Sequence, residues 1–540
     1  MALRDGTMQN YALTVEKHLE HAAKWHGQTE VVSRGLDGTV SRAGYSETLA
    51  RARRISAVLR DEQVVAGQAV ATLAWNSRHH FECWYGIMGM GAICHTLNPR
   101  LPAAHLAVML DKSGARCVIV SADLAELAQE IETLARNPLR FLVIDGSPAS
   151  FAERHLDAKT LEQALENADP DTVWGEIDEN AACGLCFTSG TTGDPKGVTY
   201  THRASYLHTL RQLQADVIGL TSRDTVLVVV PMFHANAWGL PFSAPSAGSK
   251  LVLPGRANDG ASLAALIAQE EVTVAVAVPT VWLGMFDYLD ASGLELPSLR
   301  RIMVGGAPMP ESLMQRIESR GISVQTTWGM TELSPLGTAT PPTDSDRSSS
   351  QSGRPALGLD MLLTDADDCP LPEQRNAEGH LWVRGHSVIR SYLGDTEPVT
   401  KNGWFRTGDL AQIDDRGMLT ITGRAKDLIK SGGEWINPAE IESLANAHPD
   451  VALAAVIGRE DEKWSERPVL LVELVPNSRA TDEDLLASLK GRIASWWMPD
   501  EIIRVAAIPL AATGKIDKLR LRAEFGKRPD PEAGPAIAHG

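Results

Sequence analysis

Cysteine is scarce in this chain. There are six in 540 residues, too few and too scattered for a disulfide framework, so a reducing, cytoplasmic setting is expected. Aromatic residues make up only 5%. No apolar run approaches the roughly 20 residues needed to cross a bilayer. The first residues, MALRDGTMQN, lack the basic-then-apolar order of a secretion signal. Positive charge is in deficit: 51 Lys and Arg against 68 Asp and Glu give a net charge of -17. That balance argues against nucleic acid, or an anionic membrane surface, as a partner held by bulk electrostatics. It leaves room for a locally cationic pocket that takes a phosphate ligand. Internal repeats are absent too. Cys183 and Cys186 form a C-x-x-C, but no second pair follows, and in a strand the two would face opposite sides. Core packing is the reading they support.

What is present is ordinary globular material: 44% apolar and 22% charged residues. A chain this long exceeds a single core of about 250–300 residues, so two or three domains are expected. DTVLVVVPMF (224–233), VTVAVAVPTVW (272–282) and RIMVGG (301–306) read as buried strands. ASLAALIAQEE (261–271) and PESLMQRIESRG (310–321) read as amphipathic helices between them, the second closing on Gly321. The alternation predicts α/β layers. The texture changes after GRAKDLIKSGG (423–433). TDEDLLASLKGRIASWW (481–497) predicts one capped helix, with Thr481 as N-cap, Asp484 completing the cap, and Leu485, Leu489, Ile493 and Trp496 along one face. We therefore place a large N-terminal domain over 1–425, a small α+β domain over 426–525, and a disordered tail over 526–540.

The chemistry begins at FTSGTTGDPKG (187–197). Gly190, Gly193 and Gly197 permit sharp turns and close backbone approach. Thr188, Ser189, Thr191 and Thr192 offer hydroxyls, successive N–H groups form an anion nest, and Lys196 adds a charge. The stretch is not the common phosphate loop: Pro195 stands where that motif needs Gly, and Gly197 where it needs Ser or Thr. A P-loop kinase is thereby excluded.

This segment resembles the AMP-binding signature of the adenylate-forming superfamily, which includes acyl-CoA synthetases, luciferases and peptide-synthetase adenylation domains. Further family motifs follow in order from about residue 180 to 516. WGMTE (328–332) is similar to the motif in which, by resemblance, Trp328 packs near adenine, Thr331 binds phosphate and Glu332 holds Mg²⁺, with Thr188 beside the metal. Thr327, Gly329 and Met330 belong to the same nucleotide stretch. GGAP (305–308) resembles the turn that lines adenine and acyl pockets, through Gly306, Ala307 and Pro308. GWFRTGD (403–409) resembles the motif whose aspartate, Asp409, binds the ribose hydroxyls, and Arg424 matches an arginine that reaches the ribose. Lys426 falls at the family's hinge. Lys430, placed with the nucleotide set, precedes Ser431, Gly432, Gly433, Glu434 and Trp435, which resemble the loop lining the CoA tunnel. IPLAATGKIDK (508–518) resembles the C-terminal motif with the catalytic lysine, here Lys515.

The resemblance implies a two-step reaction using ATP, Mg²⁺ and CoA: formation of an acyl-adenylate with release of pyrophosphate, then displacement of AMP by a thiol. Lys515, Glu332, Thr188 and Lys196 would carry the first step. MFHANAWG (232–239) is similar to the acyl-pocket motif, with His234, Asn236, Trp238, Gly306, Ala307 and Met330 as its lining. His234 stands where amino-acid-activating relatives carry Asp, so an α-amino acid is disfavoured. The combined motifs are most like medium-chain fatty acyl-CoA synthetases and 3-methylmercaptopropionyl-CoA ligases, implying a fatty acid or a short apolar carboxylate as partner. Homodimers are common among such relatives. The alternatives are a stand-alone adenylation enzyme loading a carrier protein, a luciferase-like oxygenase, an enzyme forming only the thioester from a supplied adenylate, and a non-catalytic nucleotide-binding relative. Filled positions at Lys515, Glu332 and Asp409 argue against the last.

Overall fold

The computed structural model describes residues 6–188, 194–432, 434–511 and 515–527. Ser189, Gly190, Thr191, Thr192, Gly193 and Gly433 lie outside the described residues, as do 528–540, most of the expected tail.

Two large sheets dominate. One has nine strands. Six of its neighbours, from Ser323–Gly329 through Arg301–Val304, Val274–Ala277, Thr225–Val228 and Lys250–Leu253 to Glu30–Arg34, run parallel. The other has seven strands, parallel except for the antiparallel pair Ala182–Thr188 and Lys196–Thr201. Parallel strands must be covered on both faces, which is why they read as unbroken apolar runs. The strands are shorter than those runs. Pro231 and Pro279 end the ladders, and Pro279 instead opens the helix Pro279–Ser292.

One apolar core fills the space between the two sheets, joining Val70, Cys94 and Cys183 of one sheet to Val226, Leu251 and Val276 of the other around Trp84, Tyr85 and Phe242. A second core packs Gly260–Glu270, Pro279–Ser292 and Glu311–Glu318 on the outer face of the nine-stranded sheet. A third packs Ala103–Ser113 and Ala125–Leu134 on the outer face of the other. The result is a five-layer α/β stack. Cys183 and Cys186 are buried in it, as packing side chains.

A five-stranded antiparallel sheet over Leu359–Thr364, Ala377–Gly385, Thr400–Lys401, Trp404–Ile413 and Leu419–Arg424 follows. A separate small sheet begins at Ile429–Ser431, with its own core of Ile429, Ile441, Val456, Leu470 and Leu485. The helix expected over 481–497 is cut short. The capping box of Thr481 and Asp484 forms as read, but the helix is Asp482–Leu489. Lys490 leaves helical geometry and Gly491 turns at φ +79°. Trp496 consequently stands 52% exposed rather than on a helical face, while Trp497 packs against the small core. Among the described residues no helix is long and apolar enough to cross a membrane.

Candidate active site

Strand ends meet where the two sheets and the small sheet converge. Thr188 and Lys196 face each other as the last register pair of their antiparallel ladder. Outside contacts hold this end of the ladder. Lys112 Nζ donates to Asp194 Oδ1 and to the Pro195 carbonyl, each at 2.9 Å, and Leu393 N donates to the Gly197 carbonyl at 2.8 Å. Gly197 is required here, because a Cβ would lie 2.9 Å from Leu393 Cβ.

Glu332 follows the strand Ser323–Gly329 and is buried. Its Oε1 accepts from the Tyr392 hydroxyl at 2.9 Å, and the Lys196 ammonium lies 5.1 Å from the Tyr392 ring centroid. Tyr392 therefore links the Glu332 carboxylate to Lys196. Thr331 is buried beside it, its carbonyl accepting from the Tyr200 hydroxyl at 2.9 Å. One hard carboxylate with the Thr188 hydroxyl suits Mg²⁺, which keeps most of its ligands as water and substrate phosphates. Among the described residues no group of three or more His, Cys, Asp or Glu forms an all-protein metal cage.

Asp409 is fully buried, on the strand Trp404–Ile413 opposite Arg424. Its Oδ1 pairs with Arg424 Nε at 2.6 Å, and its Oδ2 accepts from Trp328 Nε1 at 3.0 Å. Burial pushes this carboxyl above the ordinary aspartate value, against the pull of the Arg424 charge. Trp328 is thus more than a flat face: its indole N–H anchors the aspartate, while its six-membered ring packs where a Cβ on Gly337 would meet it at 2.7 Å.

Lys515 reaches this cleft from near the end of the small domain, where Ala511 N donates to the Lys515 carbonyl at 2.7 Å. Gly306 sits at φ +80°, and a Cβ there would lie 3.9 Å from Trp238 Cζ2 and 4.0 Å from Lys515 Cε. Lys515, Trp238 and the Gly306 turn are therefore adjacent. Lys515 remains open to solvent along the cleft, yet the surrounding protein and the nearby Arg424 charge hold its ammonium below the ordinary lysine value. His234 faces the same charge. Burial, then Lys515, lower it to about 4, so it is neutral at neutral pH.

The acyl motif takes an unusual backbone. Ala235, Asn236, Ala237 and Trp238 have φ of 45°, 52°, 46° and 55°, and Gly239 follows at 80°. Four consecutive non-glycine residues in the left-handed region are disfavoured at each position. The surroundings hold them there. Ala235 N points at Cys186 Sγ at 3.4 Å, and the Gln212 amide donates to the Trp238 carbonyl. Upstream, buried Asn76 donates to the Val228 and Val230 carbonyls and accepts from Met232 N, at 2.9, 2.9 and 2.7 Å.

Of the expected site residues, Thr327, Gly329 and Met330 lie on or directly after the strand that leads to Glu332, with Met330 N donating to the Pro335 carbonyl at 3.0 Å. Ala307 and Pro308 continue the Gly306 turn. Lys426 is exposed in the single turn Ala425–Asp427 between the two smaller sheets. Lys430 stands beside Trp435. They are cross-strand partners in the hairpin of Ile429–Ser431 and Glu434–Ile436, with the ammonium 5.7 Å from the indole. Trp435 is 54% exposed, and Ser431 Oγ accepts from Arg467 Nη1 at 2.9 Å. Tyr392, Tyr200, Lys112, Asn76 and Gln212 escaped the sequence reading. Each is a lone polar residue whose role depends on a partner far along the chain.

A layered α/β body followed by a small domain that brings a lysine to its cleft is the architecture of the adenylate-forming enzymes. Its backbone superimposes with a TM-score of 0.85 on a crystal structure of an anthranilate CoA ligase in complex with anthranoyl-AMP, at 22% identity over 96% of this chain and 98% of the other. The family model of AMP-binding enzymes matches residues 19–393, and that of the AMP-binding enzyme C-terminal domain matches 440–515. The chain belongs to the AMP-binding enzyme family. It is 40% identical to a medium-chain-fatty-acid–CoA ligase of Ectopseudomonas oleovorans, over 96% of this chain and 97% of the relative. It is equally similar to a 3-methylmercaptopropionyl-CoA ligase of Ruegeria lacuscaerulensis, over 96% and 98%.

Proposed function

We propose that this chain is an AMP-forming acyl-CoA ligase that activates a fatty acid or a short acid with an apolar chain. The observation that carries the reading is the convergence of Lys515, Gly306 and Trp238 at one point, with Asp409 and Glu332 close enough to act on the Lys515 charge. An acid seated behind Trp238 would present its carboxylate to that ammonium.

In the first step a carboxylate oxygen attacks the α-phosphorus of ATP, the bond to the β-phosphate breaks, and pyrophosphate leaves. Two anions must approach, so charge neutralisation and positioning dominate the barrier. Lys515 would bridge the carboxylate and α-phosphate, and Lys196 with the other residues of the 188–197 motif would hold the departing phosphates. Mg²⁺, held by Glu332 and Thr188, would neutralise phosphate charge. Asp409, oriented by Trp328 and Arg424, would accept the ribose hydroxyls. In the second step the thiol sulfur of CoA attacks the acyl carbon, the bond to AMP breaks, and the thiol proton is released. The exposed single turn at Lys426 and the exposed Glu434 and Trp435 support a hinge there and a thiol-facing surface on the hairpin.

The test is incubation of the protein with ATP, Mg²⁺, CoA and a panel of acids, reading pyrophosphate and product mass together. Acyl-CoA with AMP is the expected outcome. Acyl-adenylate without thioester would point to a carrier protein, and no pyrophosphate from any acid would overturn the assignment.

A further inference from the structure

Tyr392 stands between two side chains of opposite charge. Its hydroxyl donates to Glu332 Oε1 at 2.9 Å, and the Lys196 ammonium lies 5.1 Å from its ring centroid. Glu332 is 8% exposed. Among the described residues neither Glu332 nor Lys196 enters an ion pair, and the Glu332 side chain accepts no hydrogen bond but the one from Tyr392. The segment that carries Tyr392 is docked by other groups. Ile389 N donates to the Glu332 carbonyl and Leu393 N to the Gly197 carbonyl, each at 2.8 Å. Ser334 Oγ donates to the Ser387 carbonyl at 3.0 Å. The main chain therefore fixes the phenol in place, and its own hydroxyl is not needed for that.

A buried carboxylate calls for a partner, and a cation is the usual one. Here a neutral hydroxyl takes that place, while the cation is kept on the ring face. The difference bears on chemistry. A lysine or arginine on Glu332 would neutralise it and compete with a divalent ion. A phenol donates a single hydrogen bond. It fixes the plane of the carboxylate, leaves its negative charge whole, and leaves Oε2 open. An aromatic face attracts an ammonium without discharging it, so Lys196 stays available to an anion.

We propose that Tyr392 is a positioning residue for the nucleotide step. It keeps Glu332 oriented and charged for Mg²⁺, and keeps Lys196 apart from it for the phosphates. This rests on the acyl-CoA ligase reading and deepens its metal site. A hydrogen bond to a metal-binding carboxylate sets its orientation, and losing one weakens metal affinity by about 10–100-fold.

The experiment measures ATP binding to the full chain by calorimetry, in Mg²⁺ and again in EDTA, with no acid or CoA present. Nothing turns over without an acid, so the readout is affinity alone. Wild-type protein should bind ATP more tightly with Mg²⁺. Tyr392→Phe keeps the ring under Lys196 and removes only the hydroxyl. It should weaken binding in Mg²⁺ by about tenfold or more, and leave binding in EDTA within about twofold because the Lys196 contact is kept. Tyr392→Leu removes the ring as well and frees Lys196 to reach Glu332, so binding should weaken in both conditions. Full affinity of that variant in EDTA overturns the part assigned to the ring. For Tyr392→Phe, no loss, or equal losses in Mg²⁺ and EDTA, overturns the proposal and leaves the ligase reading standing. So does a Tyr392→Phe protein that fails to fold, because the hydroxyl is then a structural contact. Wild-type protein that binds ATP no better with Mg²⁺ removes the metal site, and the proposal falls with it. No binding of ATP in either condition sinks the ligase reading itself.

Discussion

Lys515 is a cation placed where burial opposes its charge and where Arg424 adds to the opposition, with Asp409 and Glu332 acting the other way. The proposed first step uses the ammonium form. Adenylation should therefore fall as pH rises through a value below 10.5, the ordinary lysine value, and pyrophosphate exchange across alkaline pH would show the descending limb. Lys515→Ala should lower adenylation by about 10²–10³ and remove that limb. Thioester formation from supplied acyl-adenylate should change only a few-fold. A parallel loss in both half-reactions would contradict the assigned role. Asn76 is a different case, because it touches no candidate reacting group. Asn76→Ala leaves two carbonyls and one N–H of the segment 228–232 unpaired in the core, which costs about 3 kcal/mol. Denaturant unfolding would measure it. The contrast shows what a sequence carries openly. Lys515, Glu332 and Asp409 sit in runs of specialised residue types, so their motifs announce them. Asn76 and Tyr392 are single polar residues in unremarkable contexts. Only contacts more than 50 residues apart turn them inward.

The turn 235–239 joins backbone strain to pocket shape. Its motif was legible, but its left-handed backbone was not, because Ala and Trp only rarely adopt it. The fold imposes that conformation through Cys186, Gln212 and Asn76. Ala237→Val places a β-branched residue at φ 46° in a fully buried site and should cost at least about 2 kcal/mol. Ala237→Gly should stay within about 1 kcal/mol of the wild type, the relief of strain offsetting the lost methyl. Thermal melts of the two variants test this, and equal destabilisation would argue against the left-handed geometry. The helix Asp482–Leu489 shows the converse. Its start was legible because a capping box is a local device. Its end was misread because apolar spacing continued past Gly491, and tertiary packing chose Trp497 over Trp496.

At the scale of the whole molecule, the five-layer stack buries histidines in their neutral form. Burial lowers His18 and His95 to about 3, and His80 and His202 to about 4. His95 lacks a partner on either ring nitrogen and lies against Phe187. An unfolded chain protonates such rings near pH 6.5. Between that value and the folded values the unfolded state binds more protons, so stability falls as pH drops through this window. The slope is about 1.4 kcal/mol per pH unit for each histidine. Melting temperature followed from pH 7 to pH 4.5 should decline steeply, and His95→Phe should flatten the decline by one proton's share. An unchanged slope would mean that His95 takes up its proton in the native state.

The arrangement around the Ile429–Ile436 hairpin has an optical consequence. Trp435, Trp464 and Trp496 are 54%, 45% and 52% exposed, while Lys515 of the same small domain reaches into the cleft. Gly432 lies against the Trp464 ring, and Arg467 joins Ser431 to the Trp496 carbonyl, so the three indoles surround one structure. Water-exposed indoles emit at long wavelength. Any rearrangement that turns this hairpin inward should dry at least one of them and shift the emission to the blue. The protein thus carries its own reporter. A stopped-flow trace recorded when CoA meets the adenylate-loaded protein would time that rearrangement without a label.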